Sequence, residues 1–579
     1  MAYKTRYFNQ ASAFLIIFLF LFSCFFSCSS KLDRDILKIG ISEEPETLNI
    51  WLASDTNSRK ILSLVYQNLY IRDPETLKLI PWLAKADPLY DPEDLSYTVK
   101  LRNVKWSDGS DLTADDVVFT VNLIKQFKVP QYISKWRFVK KIEAVDKRTV
   151  KFYLSKPKAI FLTRSLGIPI VSKKEWSLVV KKALSKKKSY KALINHKIEN
   201  PLGCGPFVLK ERRCGAYIFF EKNRFFFGKG KTIKGRKLGP YIDKLLFKVY
   251  RSADVAILAL KKGSIDYYWA CIQPGHVDGL SRDQNIKVFV SKKSAFYYMG
   301  FNLRKTPFSD PYLRRAIAVL IDKKFIVSRI LQGFATEMSS VVPKGNEFWH
   351  NPDLPMYGAG LTRDERIQRA YKLLALRGYS WEIPPVNDKK EVVSPSTIRL
   401  LDGKPMEEFT ILTPPAGYDP HRAACGTIIQ EWLKDLGLPV TSRPMSFGAL
   451  LDKVKARHDF DTFILGYGML SLDPDYLRSF FYSKNNRTRG WNMSGYNNKE
   501  FDKLADASLA EMNNDKRRQL IWEMQSVLLN DIPYFPLYNP TLIEAVNNKN
   551  FTGWVKMVGG IGNIWSLCSV KPAQGTSKK

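Results

Sequence analysis

Histidine is scarce in this chain, and the motifs of nucleophilic and metal catalysis are missing. The five histidines among 579 residues, His196, His276, His350, His421 and His458, include no His-x-x-x-His pair, the spacing that sets two zinc ligands on one helix face. No Gly-x-Ser-x-Gly elbow and no Walker glycine loop occurs, so serine hydrolase and P-loop chemistry lack their scaffolds. Seven cysteines contain no Cys-x-x-Cys, which excludes a zinc ribbon and a thioredoxin motif by spacing. No internal repeat is visible. Acids are in deficit, 56 Asp and Glu against 90 Lys and Arg; such a surplus suits nucleic acid, an anionic membrane or acidic wall polymers.

The N-terminus decides among these partners. Lys4 and Arg6 precede the apolar run "ASAFLIIFLFLFSCFFSC" before the polar "SSKLDRD", the plan of an export signal. The run is at the short limit for a membrane span, and both "LFSC" and "FFSC" resemble the lipobox of a lipoprotein signal over residues 1–28. Leu21 favours lipidation of Cys24, and the polar sequence that follows favours Cys28, which is preferred. Export disfavours nucleic acid, and basic runs such as "KKALSKKKSYK" lack the interleaved aromatics of a base-stacking surface. The cysteines beyond the leader, Cys204, Cys214, Cys271, Cys425 and Cys568, are expected as buried free thiols.

A chain this long exceeds one core and divides into two or three domains. "ILKIGIS" alternates as a strand, followed by a helix carrying Ile61, Val65 and Leu69. Thr113 and Asp116 form a carboxylate variant of the capping box ahead of an amphipathic helix. "TVKFYLSKP" is a strand, "KKALSKKKSYKALINHK" a basic surface segment, and "NPLGCGPFVLKERRCGAYIFFEKN" a hairpin. Asp310 caps a helix with Pro311 at its first position, and Gly378 and Gly437 end two further helices. Helix and strand then alternate through "DTFILGY", which predicts a parallel α/β layer. Prolines and charges break every period in "WEIPPVNDKKEVVSPSTIRLLDGKP".

Asp459, Asp461, Asp473 and Asp475 crowd one short stretch, "DFDTFILGYGMLSLDPDYL". Pro474 fixes the backbone between two of them and the EF-hand glycine is missing, so caps and turns are the expected roles. The segments "EEPETLNIW", "LVYQNLYIRDPETLKLIPWLAKA", "LRNVKWSDGSDLTADDVVF", "NPLGCGPFVLKE", "YYMGFNLRKTPFSDPYLRRAIAVLIDKK" and the aspartate stretch stand in the order of the family 5 extracytoplasmic solute-binding proteins. These are the oligopeptide- and dipeptide-binding components of ABC importers, and the resemblance runs from about Ile36 to Asn539. It implies an α/β, two-lobed fold of the periplasmic-binding-protein type II kind with an extra inserted domain (cluster C). Domain I would comprise 36–80, 201–301 and 536–579, domain II 81–200, and domain III 302–535.

The resemblance also implies a binding protein and not an enzyme. It would capture a peptide or peptide-like solute and work as a monomer with a membrane permease and ATPase. A lipid anchor would hold it at the membrane, without cofactor, metal or nucleic acid. The extended ligand would pair with Ser54, Asp55 and Thr56 on one side and Gly466, Tyr467, Gly468, Met469 and Leu470 on the other, as an added strand. Aromatic walls would come from Tyr132, Trp136, Tyr467 and Trp491. Leu470 stands where the peptide binders carry the aspartate that receives the ligand's amine. An unpaired ammonium there costs about 3 kcal/mol or more, and Asp55 is the substitute acid. That departure keeps a nickel chelate, a glycan or a wall-derived peptide as alternative solutes. The basic surplus keeps a wall-associated adhesin.

Overall fold

The computed structural model describes residues 35–573; the expected leader, with Cys24 and Cys28, lies outside the described residues. Three sheets carry the architecture. Ile36–Ile41 runs parallel to Lys244–Val249 and Tyr267–Tyr268 at the centre of a seven-stranded mixed sheet. Its alternation is real: Leu37, Ile39 and Ile41 are buried. The expected hairpin, Phe207–Arg213 with Tyr217–Lys222, closes one edge, and Ile286–Ser291 with Leu542–Asn547 closes the other.

Inserted into this lobe is a four-stranded antiparallel sheet, Leu89–Asp91, Ser96–Lys100, Thr149–Leu154 and Val139–Asp146. The helix Ala114–Gln126 covers it. At its start the Asp116 carboxylate accepts from the Thr113 amide at 2.8 Å, the carboxylate half of the box that its sequence predicts. The inserted lobe shares one continuous hydrophobic cluster with the first, joined where Trp51 meets Trp176 at 5.5 Å. The two therefore share one core. The basic segment forms two helices, Lys173–Leu184 and Ser189–Ile194.

The other large lobe is a six-stranded sheet ordered Ala335–Glu337, Tyr534–Pro540, Phe296–Phe301, Thr462–Tyr467, Phe409–Thr413 and Val440–Pro444. Its last three strands are parallel and the rest antiparallel, so the predicted parallel layer is half of a mixed sheet. The helix after Asp310 begins with Pro311, and Gly378 ends Arg363–Arg377 at φ 106°. Residues 381–405 hold only isolated bridges.

The expected borders of domain I at 301 and 536 are corrected by strand pairing. Phe296–Phe301 pairs with Thr462–Tyr467 and Tyr534–Pro540 in the second lobe's sheet. The chain thus crosses between Ser291 and Phe296 and returns between Pro540 and Leu542. These crossings lie side by side, and the Asn539 amide donates to the Lys293 carbonyl at 2.9 Å. Two adjacent connections of a few residues are the construction of a hinge. No helix among the described residues is long and apolar enough to cross a membrane.

Of the cysteines, Cys204, Cys425 and Cys568 are buried and free, whereas Cys214 and Cys271 are exposed. Cys214 sits at the tip of the hairpin and Cys271 follows a short inner strand, so neither side chain is enclosed.

Candidate functional site

The four aspartates are structural. Asp459 pairs with Lys453 at 2.7 Å, and Asp461 accepts from the Thr410 amide and hydroxyl at 3.1 Å each. Asp473 is buried, held by both Arg517 guanidinium nitrogens at 2.8 Å and by the Thr163 hydroxyl at 2.7 Å. Burial opposes its charge, but Arg517 outweighs burial and holds the carboxyl down at about 2. Asp475 pairs with Arg164 at 2.6 Å and Arg478 at 3.0 Å. Thr163 and Arg164 belong to the inserted lobe, so Asp473-Pro474-Asp475 fastens that lobe to the six-stranded one.

Just before this fastening, the strand Thr462–Tyr467 reaches the hinge. A Cβ on Gly466 would come within 2.4 Å of the Tyr297 ring, so the neighbouring strand by itself requires a glycine here. The Tyr467 ring stacks on Phe480 at 4.2 Å. Beyond it Gly468 is exposed with open space around it, and Met469 projects outward, 67% exposed. Leu470 turns inward, 8% exposed, while its amide donates to the Ser294 carbonyl in the hinge at 2.7 Å. The side chain expected to face the ligand's amine therefore packs in an apolar cluster with Phe296 and Tyr476.

On the first lobe, Asp55 caps the helix Thr56–Val65 by accepting from the Ser58 amide at 2.7 Å. Its second carboxylate oxygen is buried and has no hydrogen-bond partner among the described residues. Ser54 and Thr56 are exposed. No hydrogen bond among the described residues joins residues 54–56 to 466–470; they stand on different lobes. Tyr132 is half-buried, edge-on to Trp51 at 6.1 Å, with Lys135 over its ring at 5.2 Å. It lines a cavity of about 250 Å³ together with Ala53, Arg59, Leu62 and Tyr66. Burial, then Arg164 and Arg59, push the Lys135 ammonium down to about 8. Trp136 is corrected: it is 1% exposed and packs on Phe152 and Phe161, inside the inserted lobe's core. Trp491 is half-exposed and carries the Lys455 ammonium 3.4 Å from its ring centre.

Sequence reasoning missed a larger cavity, about 790 Å³, where all three parts meet, with Arg72, Tyr97, Leu162, Thr163 and Trp349 among its walls. These residues are scattered along the chain and carry no local signal. A Glu-x-x-His spacing does occur at Glu347 and His350. Glu347 pairs with Lys292 at 2.6 Å and the His350 ring meets the Val342 carbonyl at 2.8 Å, so the two are separately engaged. No group of three or more His, Cys, Asp or Glu among the described residues could hold a metal ion.

Two lobes, an inserted third part and paired crossings are the frame of a hinged binder, and the comparison with known proteins names it. Residues 78–489 match the bacterial extracellular solute-binding proteins, family 5 Middle. The chain belongs to this family. Family 5 proteins bind solutes outside the cytoplasm and are not enzymes. The oligopeptide-binding protein AppA of Bacillus subtilis is 26% identical over 512 residues, 87% of this chain and 86% of AppA. Its structure in complex with a nonapeptide matches 93% of this chain and 99% of that one, at 25% identity and a TM-score of 0.65. Two further structures share the fold. The periplasmic oligopeptide-binding protein of an oligopeptide ABC transporter from Thermotoga maritima, 23% identical, covers 93% and 99% of the chains at TM-score 0.76. NikZ of Campylobacter jejuni, solved with Ni(L-His), is 22% identical and covers 92% and 99% at TM-score 0.69.

Proposed function

We propose that this family 5 protein captures an oligopeptide or peptide-like solute between its two large lobes and passes it to the permease and ATPase of an ABC importer. One observation carries the reading: at the hinge, Gly468 and Met469 form an exposed bend just past the strand Thr462–Tyr467, with no backbone hydrogen bond to other described residues, on the lobe opposite the exposed Ser54 and Thr56. An extended ligand pairs with such a segment through main-chain bonds that ignore side-chain identity. AppA, bound to a nonapeptide, supports the solute class. Asp55, with one carboxylate oxygen unpartnered, is the group assigned to a ligand's amine. Native mass spectrometry of protein purified without unfolding tests the reading. Retained masses in the peptide range support it; a retained chelate or saccharide overturns it.

The second reading keeps the fold and changes the solute. Leu470, apolar and turned inward, offers a ligand's amine no carboxylate, and NikZ shows that the fold accommodates Ni(L-His). Under either reading, the N-terminal leader directs export, and Cys28 carries the anchor in preference to Cys24.

A further inference from the structure

We propose that the outer face of the helix pair Lys173–Leu184 and Ser189–Ile194 docks on an anionic phospholipid surface. Residues 173–197 hold nine lysines and a single acid, Glu175. Lys173 and Lys174 reach Asp115 and Asp108. Lys181, Lys182, Lys186, Lys187, Lys188, Lys191 and Lys197 are all exposed, and none has an ion-pair partner among the described residues. Seven uncompensated ammonium groups on one short stretch repel one another, and an anionic partner removes that repulsion.

The platform beneath them is rigid. Trp176 and Leu193 are fully buried, and the Asn49 amide bonds the carbonyls of Leu193, Ile194 and His196 at 3.0 to 3.2 Å. The lysines therefore project from a fixed surface and not from a loose tail. Among them stand two leucines that the fold does not cover, Leu178 at 66% and Leu184 at 46% exposure. Leu178 lies one helical turn from Lys174, Lys181 and Lys182, on the same face. A soluble polyanion offers nothing to these leucines. At a bilayer surface, leucines enter the headgroup boundary while lysine stems lie along it with their ammonium groups at the phosphates. That mixture selects phospholipid over wall polymer, and it is independent of what the cleft binds.

The test uses residues 35–573, which contain the complete sheets and hydrophobic clusters described above. The protein is sedimented with vesicles of phosphatidylcholine alone or mixed with phosphatidylglycerol, at rising salt. Binding is expected only to the mixed vesicles, weakening with salt. Replacing Lys181, Lys182, Lys186, Lys187 and Lys188 by Ser should weaken it about tenfold or more. The same number of changes elsewhere, at Lys229, Lys231, Lys234, Lys237 and Lys262, should weaken it far less. Leu178→Ser with Leu184→Ser should reduce vesicle binding and leave polyphosphate binding unchanged. Equal loss in both lysine sets reduces the effect to net charge and overturns the proposal. So does indifference to the leucine changes, which indicates a soluble polyanion, and so does failure to bind mixed vesicles at low salt. All substituted positions are exposed, and unchanged melting temperatures confirm that the variants are folded.

Discussion

Arg164 and Asp475, 311 residues apart in sequence, meet at 2.6 Å across the junction of the inserted lobe and the six-stranded lobe. Beside them Thr163 and Asp473 meet at 2.7 Å. Since the inserted lobe shares its core with the first lobe, any opening at the hinge pulls on these two contacts.

The first prediction follows from that geometry. Arg164 is about a third exposed, so Arg164→Ala should cost little stability, about 1 kcal/mol or less. It should nevertheless shift the lobes apart. Small-angle scattering before solute addition is expected to show a larger radius of gyration for the variant, and an unchanged radius would mean that the pair does not govern opening.

Asp473→Asn should be severe. Both partners of the Asp473–Arg517 pair are buried, and removing one carboxylate leaves a buried guanidinium uncompensated, a loss of about 3 to 5 kcal/mol in urea unfolding. The pair also sets an acid limit. The folded carboxyl titrates at about 2 against 3.8 when free, so its contribution is complete above pH 4 and is lost as pH falls toward 2. Asp473→Asn should flatten the stability profile in that window; an unaltered profile would contradict the assignment.

Lys323 is a charge that folding disfavours rather than holds, though its pH slope has the same sign. Its ammonium lies 3.9 Å from the Phe535 ring centre and donates to the Met338 carbonyl at 2.5 Å, and burial pushes it down from 10.5 to about 7. Between those values the unfolded chain binds a proton that the folded chain has released, so stability rises with pH across the window. Lys323→Met should remove that rise and leave the protein at least as stable at pH 7, because the hydrogen bond lost is worth only about 1 kcal/mol. Chemical unfolding at pH 7 and pH 10 compares the two proteins.

Asp55 separates folding from binding. Asparagine caps helices as well as aspartate, so Asp55→Asn should preserve the melting temperature while removing the charge assigned to a ligand's amine. Calorimetry with matched free and N-acetylated peptides should show a preference for the free amine of about tenfold in the unaltered protein and none in the variant. If both proteins prefer the capped peptide, the amine has no acid partner.

The anchor is tested by Cys28→Ala, which should leave exported protein extractable without detergent, while Cys24→Ala should change nothing. The reverse result would move the lipid to Cys24.

Much of the frame was readable in order along the chain. The Thr113 and Asp116 cap, the Asp310-Pro311 helix start, the Gly378 stop and the hairpin beginning at Phe207 are local: each depends on hydrogen bonds or torsions within a few residues, and sequence spacing encodes those directly. The aspartates were legible as structural, since Pro474 disfavours a chelating geometry, but not in the cap and turn roles expected: Asp461, Asp473 and Asp475 are held by the distant Thr410, Arg517 and Arg164.

What tertiary structure alone decided is which way side chains turn and which distant residues meet. Trp136 and Leu470 carry the composition of a binding wall, but they fill cores, because burial of a large apolar group depends on what packs over it and not on its neighbours in sequence. Phe296–Phe301 looked continuous with the lobe before it, yet its ladder hydrogen bonds are made with strands more than 160 residues away. The fastening of Arg164 to Asp475 and of Arg517 to Asp473 has no local signature, since a charge pair at long range exists only once two lobes have folded and docked. Sequence thus determined the family and the local elements. The hinge position, the buried charges and the lysine face left without partners were settled by packing, which acts across the whole chain at once.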